Sequence, residues 1–134
     1  MLLTKECDYG VRILRTLSEG TKKTVDTICK NETIPNKYAY KILKKLEKAG
    51  ILISIRGRDG GYKLSKELKD IKLFDVAVAV DNSFFIFDCV KAGVAEKCPN
   101  NSTNQCNVHQ EFVKIQNVLK EEFLNRNMHD VIFG

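Results

Sequence analysis

At 134 residues, with 43% hydrophobic and 29% charged residues, the chain has the composition of one small soluble domain, or one domain with an appended element. Charge enters at Lys5 and Glu6 before any long apolar run, and no stretch approaches the roughly 18 apolar residues of a membrane span, so a cytoplasmic protein with no export signal is expected. Residues 1–66 carry 15 Lys and Arg against 7 Asp and Glu, a net +8, whereas residues 67–134 carry 7 against 10, a net −3, which points one end at a polyanion.

Thr4 is suited to cap a first helix from Lys5 to Leu17, in which Gly10, Ile13, Leu14 and Leu17 share a face and which Gly20 ends. Thr24 caps a short second helix, Val25 to Lys30. After Thr33-Ile34-Pro35, Asn36 is expected to cap a third, reaching Lys48, with the apolar stripe Ala39, Ile42, Leu43 and Leu46 and a stop at Ala49-Gly50. Lys37, Lys41, Lys44 and Lys48 recur along that helix at steps of four, three and four, with Tyr40 beside them. Taken alone, such a stripe reads equally well as a solvated lysine face.

The next segment changes that balance. Ile51–Ile55 and Tyr62–Leu64 are β-prone runs on either side of Arg56-Gly57-Arg58-Asp59-Gly60-Gly61, where Asp-Gly signals a hairpin turn. Two helices, a basic helix and an arginine-tipped hairpin follow the order of a winged helix-turn-helix. There the basic helix enters the major groove and the wing lies on phosphates or in an adjacent minor groove. The wing glycines are expected to let the backbone approach DNA closely. The candidate DNA-facing residues are Thr24, Asn36, Lys37, Tyr38, Tyr40, Lys41, Lys44, Arg56, Arg58, Gly60, Gly61 and Tyr62.

Ile71 to Val80 is ambiguous between a buried strand and a short helix, and its place after the wing favours a packing helix. Asn107 and Gln110 match a capping box that opens a long helix to about Asn125. Its apolar positions Val108, Phe112, Ile115, Leu119 and Phe123 need a cover, either the domain itself or the same helix of a second subunit. The expected fold class is mainly α with a small β-hairpin wing. It divides into a DNA-binding domain over 1–82, a cysteine-rich loop over 83–106, and a dimerisation helix with a C-terminal tail over 107–134.

Cys89, Cys98, Cys106 and His109 follow the spacing C-x8-C-x7-C-x2-H, in a loop rich in Asn, Pro, Lys and Gly that has little apolar material to bury thiols. Thiolates suit zinc and iron–sulfur clusters alike, and a Cys-x-x-His at a helix start is also a zinc geometry. A redox-switched disulfide is a further option. Cys7 and Cys29 fall in helical segments and read as packing residues, and His129 as a surface residue. No nucleophile–base pair or phosphate-binding loop argues for catalysis, so a non-enzyme is expected.

Three stretches resemble the bacterial Rrf-two family of winged-helix regulators, whose members include IscR-like and NsrR-like iron–sulfur repressors. They are Leu3-Thr4 leading to Asp8-Tyr9-Gly10-Val11-Arg12, Tyr38 through Leu46 with Lys48-Ala49-Gly50, and Ile53 through Tyr62 with its Arg-Gly-x-x-Gly-Gly-Tyr wing. The three cysteines and His109 complete the match, which spans essentially the whole chain. The resemblance implies a homodimer on an inverted-repeat operator in double-stranded DNA. It also implies a [2Fe-2S] or [4Fe-4S] cluster on Cys89, Cys98 and Cys106, with His109 as fourth ligand in the IscR-like manner or Asp8 of the other subunit in the NsrR-like manner. The cysteine gaps are longer than in the cluster-binding members compared. Tyr40 stands where IscR-like members carry a carboxylate, so their operator preference does not transfer. The readings that compete with a cluster-sensing repressor are a zinc-stabilised or thiol-switched winged-helix regulator, a protein-interaction adaptor and a small electron carrier.

Overall fold

The computed structural model describes residues 4–101 and 105–134. Helix α1 (Lys5–Thr16) starts where Thr4 Oγ1 accepts the Cys7 N–H, and the chain leaves it through a 3₁₀ turn to Gly20. Helix α2 (Val25–Glu32) is capped by Thr24, whose hydroxyl accepts the Thr27 N–H at 3.2 Å. It runs two residues beyond the expected end at Lys30 because Glu32, although an acid, is buried. Its carboxylate takes hydrogen bonds from Arg15 and Thr16 of α1. Periodicity marks apolar faces and gives no sign of a buried, satisfied charge.

Helix α3 (Asn36–Lys48) corrects the expected cap. Pro35 holds the N-cap position and its carbonyl accepts the Tyr38 and Ala39 N–H groups, leaving Asn36 as the first helical residue. Asn36 instead turns its amide toward Asp26 of α2, at 3.4 Å. A proline with pre-set φ, followed by a residue already in the helix, displaces side-chain capping.

Strands β1 (Leu52–Ile55) and β2 (Gly61–Leu64) pair antiparallel, with Leu52 opposite Leu64 and Ile55 opposite Gly61. The hairpin is present, but Asp59-Gly60 is not a two-residue turn at its tip. Five residues, 56–60, make the loop, and the positive φ of 115° belongs to Gly57. Tyr62 also bonds backbone to backbone with Lys23, both bonds at 2.9 Å, so the wing is tied to the segment that leads into α2.

The ambiguous segment is helical: α4 spans Leu73–Asp81. A sequence of nearly unbroken apolar residues carries little period, and its helical state follows from packing Val76, Ala77 and Val80 against the other helices. The main core joins Ile13, Leu14 and Leu17 of α1 to Ile28, Ile42, Leu43, Leu46, Leu52, Ile71 and Val76. Burying each such side chain contributes about 1.5–3 kcal/mol.

Beyond α4, the chain passes through short 3₁₀ turns at Asp88–Val90, Ala95–Lys97 and Pro99–Asn101, then enters α5 (Asn107–Asn125). The capping box at Asn107 is not formed. Cys106 is the N-cap and Asn107 the first helical residue, the Gln110 N–H bonding to the Cys106 carbonyl. The last residues form a helix that the sequence pattern did not show, α6 (Met128–Phe133), capped by Asn127. Met128 is fully buried in the main core, and a backbone bridge joins Asn127 to Lys72, so the C-terminus folds back on the winged helix. Among the described residues no helix is long and apolar enough to cross a membrane.

Candidate nucleic-acid interface and candidate metal centre

Helix α3 and the wing enclose a groove of about 330 Å³ lined by Thr24, Tyr40, Arg58, Gly60, Gly61 and Tyr62 among others. Six of the twelve sequence-selected DNA-facing residues therefore meet at one place. Asn36, Lys37, Tyr38, Lys41, Lys44 and Arg56 are exposed outside it. Tyr38 packs against Tyr9 of α1 with ring centroids 6.0 Å apart. Among the described residues, Lys37, Lys44, Arg56 and Arg58 have no ion-pair partner and present free cations.

Lys41 is different. Its ammonium sits 2.6 Å from Glu6 of α1, and the same carboxylate takes a second bond, at 2.9 Å, from Lys45. These two hydrogen bonds hold the Glu6 carboxyl below the usual carboxylate range, against the partial burial that would raise it. Lys45 also donates to the Val80 carbonyl at 2.6 Å, which ties α3 to the C-terminal end of α4. Glu6 and Lys45 were missed by sequence reasoning, since neither sits in a stripe or motif.

The wing glycines have a structural reason that the sequence reading did not supply. A Cβ on Gly61 would lie 2.4 Å from the Lys23 carbonyl oxygen, and one on Gly60 2.6 Å from the Ile55 carbonyl oxygen. Both positions are closed by the protein's own backbone.

The second site lies at the start of α5. Cys89, Cys98, Cys106 and His109 line a single cavity of about 250 Å³, together with Ala95, Asn100, Asn101 and Val108. All three thiols are free, as are Cys7 and Cys29, and those two are buried in packing positions. His109 Nδ1 is buried and has no hydrogen-bond partner among the described residues, an orphaned donor-or-acceptor atom in a thiol-lined cavity. A buried polar atom without a partner costs about 1–3 kcal/mol, which a coordinate bond would offset. Soft sulfur donors with one imidazole fit an iron–sulfur cluster or zinc. Among the described residues, no three His, Cys, Asp or Glu side chains stand close enough to hold a single metal ion as placed. Asp8 does not line this cavity; it is exposed on α1 and pairs with Arg12 at 3.1 Å.

Two buried amides shape the approaches to the cavity. Gln116 of α5 accepts the Ile86 N–H at 2.9 Å and donates to the Phe84 carbonyl, clipping the strand-like segment that runs into Cys89. Asn101 bonds to the Ala95 carbonyl and to the Cys106 N–H. Nearby, Phe87 stacks on Phe112 with centroids 3.6 Å apart. Gln116 could have been found: Phe112, Gln116, Leu119 and Phe123 step by four, three and four, and they are the side of α5 that faces the domain.

The family model that matches residues 3–133 is Rrf2, described as an iron-dependent transcriptional regulator. The chain belongs to the Rrf2 family. Among relatives, protein aau3 of Rhizobium meliloti (strain 1021) is 29% identical over 134 residues, covering 98% of this chain and 85% of its own length. The HTH-type transcriptional regulator NsrR of Bacillus subtilis is 30% identical over 95 residues, covering 69% of this chain and 65% of its own length. Among solved structures, CymR (YrzC), the global cysteine regulator of B. subtilis, superposes with a TM-score of 0.76 at 18% identity, over 98% of this chain and 96% of that one. That likeness shows the fold, a mostly helical winged helix with one antiparallel hairpin. This member of the Rrf2 family is thus a transcriptional regulator with a DNA-binding winged helix, and its homologues are regulators rather than enzymes.

Proposed function

We propose that this Rrf2 protein is a cytoplasmic, homodimeric repressor whose affinity for an inverted-repeat operator is set by an iron–sulfur cluster held by Cys89, Cys98, Cys106 and His109. The observation that carries the proposal is the shared cavity: three thiols separated by up to 17 positions in sequence line one space with the orphaned His109 nitrogen. Thiolate donors with one imidazole suit an iron–sulfur cluster, and the family is described as iron-dependent. When bound, such a cluster supplies a group that oxidants or nitric oxide degrade. The residues supply the transmission. Cys106 is the N-cap of α5, so a pull on its side chain acts on the helix that docks against α4 through Phe123. Asp8 of a partner subunit is the alternative fourth ligand.

The DNA face of this reading is the α3–wing groove with Thr24, Tyr40, Arg58, Gly60, Gly61 and Tyr62, flanked by Asn36, Lys37, Tyr38, Lys41, Lys44 and Arg56. Residues 1–82 act as the DNA-binding unit, 83–106 as the ligand loop, and 107–134 carry the dimer helix. Val108, Ile115 and Val118 support a homodimer, since all three are exposed apolar residues of α5.

The test is metal analysis joined to DNA binding. Protein purified without oxygen is expected to contain iron and sulfide, and its affinity for an operator duplex selected from random-sequence DNA is expected to change when iron is chelated. Stoichiometric zinc without iron, or equal affinity in both states, overturns the cluster control. Binding should weaken with salt, by about 0.9 in log affinity per log salt for each phosphate neutralised. An Arg56→Glu, Arg58→Glu variant should lose it, and unchanged affinity overturns the wing assignment.

A further inference from the structure

Asn101 is only 4% exposed, although it lies in a polar loop. Three of its atoms are engaged. Its backbone N–H donates to the Cys98 carbonyl at 3.0 Å, its Nδ2 donates to the Ala95 carbonyl at 3.4 Å, and its Oδ1 accepts the Cys106 N–H at 3.1 Å. The Ala95–Lys97 turn runs directly into Cys98, while Cys106 opens α5, so this one residue links the backbones that carry two of the cavity's three thiols.

We propose that Asn101 is a positioning residue that fixes Cys98 and Cys106 at the cavity wall before any ligand enters. The proposal rests on the reading of Cys89, Cys98, Cys106 and His109 as a ligand set. The physical reason is that a loop with little apolar content cannot hold its shape by packing, because Ala95 is the one buried apolar side chain among the described residues between Cys89 and Cys106. A buried carboxamide, with one acceptor and one two-proton donor, closes the loop on itself and also satisfies the N–H of Cys106, one of the N-terminal helix groups that would otherwise lack a partner. Its donor and acceptor are separate atoms, so the bonds to the Ala95 carbonyl and the Cys106 N–H form together. Gln116 does a different job: it holds α5 to residues 84–86 and touches neither Cys98 nor Cys106.

The roles of the two amide ends separate experimentally. Asn101→Asp keeps an acceptor for the Cys106 N–H but places a carboxylate against the Ala95 carbonyl. Asn101→Ala removes both bonds. Alkylation rates of all five cysteines in the metal-free protein, followed by mass spectrometry, read the effect without any cluster. Lys97→Ala, an exposed change in the same loop, is the control. Asn101→Ala is expected to speed alkylation of Cys98 and Cys106 but not of buried Cys7 and Cys29, and Asn101→Asp to speed Cys98 with little change at Cys106. In protein loaded with iron and sulfide, Asn101→Ala should weaken retention by roughly 10–100-fold, the usual effect of losing a residue that orients a ligand.

Equal rates in wild type and both variants overturn the proposal, and so does a uniform rise that includes Cys7 and Cys29, which would mark general loosening. If the thiol pattern appears as expected while wild type takes up neither iron nor sulfide, the positioning role stands and the cluster reading falls.

Discussion

Gly61→Ala tests whether the wing is held by the chain segment ahead of α2. The new Cβ would stand 2.4 Å from the Lys23 carbonyl oxygen, 2.8 Å from its carbon and 3.2 Å from the Thr24 nitrogen. All three are backbone atoms, so no rotamer change relieves the contact. β2 must retreat, and the bonds nearest the clash are the two between Lys23 and Tyr62, each 2.9 Å long. At about 1 kcal/mol net per hydrogen bond, their loss costs about 2 kcal/mol. The same retreat moves Tyr62 away from Thr24, and both line the groove beside α3. Urea unfolding followed by far-ultraviolet circular dichroism suits a chain without tryptophan, and fluorescence anisotropy with a labelled duplex reads the DNA affinity. Lower stability with an unchanged denaturant slope, and weaker DNA binding, are expected. Gly57→Ala, with φ of 115° but open space around it, provides the comparison for a purely conformational cost. A Gly61→Ala protein that matches wild type in both assays would refute the account of how the wing is anchored.

Two further outcomes follow from named contacts. Burial acts to raise the Glu32 carboxyl pKa, but hydrogen bonds from Arg15 and Thr16 outweigh it and hold the group below its ordinary 4.5. An acid with a depressed pKa adds stability that is present above 4.5 and is lost as pH falls through the folded value. Glu32→Gln should therefore be less stable than wild type near neutral pH, by about 1–2 kcal/mol, with the gap closing in acid. A gap that is constant with pH argues against the ionised pair. On α5, Ile115→Glu with Val118→Glu should leave a folded monomer by light scattering and weaken operator binding, since both side chains are exposed in the single chain. A dimer that persists would place the subunit interface elsewhere.

Much of the architecture is written locally. Thr4, Thr24 and Gly20 mark helix ends, the Ala39-Ile42-Leu43-Leu46 stripe marks a buried face, and the arginine-bearing loop between two β-prone runs marks the wing. These signals depend on neighbours within a few residues, which is why they survive being read from sequence. The caps at Asn36 and Asn107 failed for the same local reason. In each case the preceding residue, Pro35 or Cys106, takes the N-cap position, so the asparagine is already inside the helix.

Long-range packing decided the rest. Nothing in the apolar run from Ile71 to Val80 separates strand from helix until Val76 and Val80 meet the core, and α6 owes its place to the burial of Met128 against residues far upstream. The α5 stripe was read as one face, but the domain splits it: Phe123 is buried with Phe84, Ala77 and Cys7, whereas Val108 and Ile115 remain exposed. The thiol spacing, the lysine stripe and the charge imbalance belong to the sequence alone, because composition and order are enough to state them. That the thiols and His109 border one cavity, that Glu6 engages one of the lysines, and that buried Asn101 and Gln116 hold the loop were decided by tertiary structure. Each depends on groups distant in sequence, or on a polar side chain whose burial no local pattern announces.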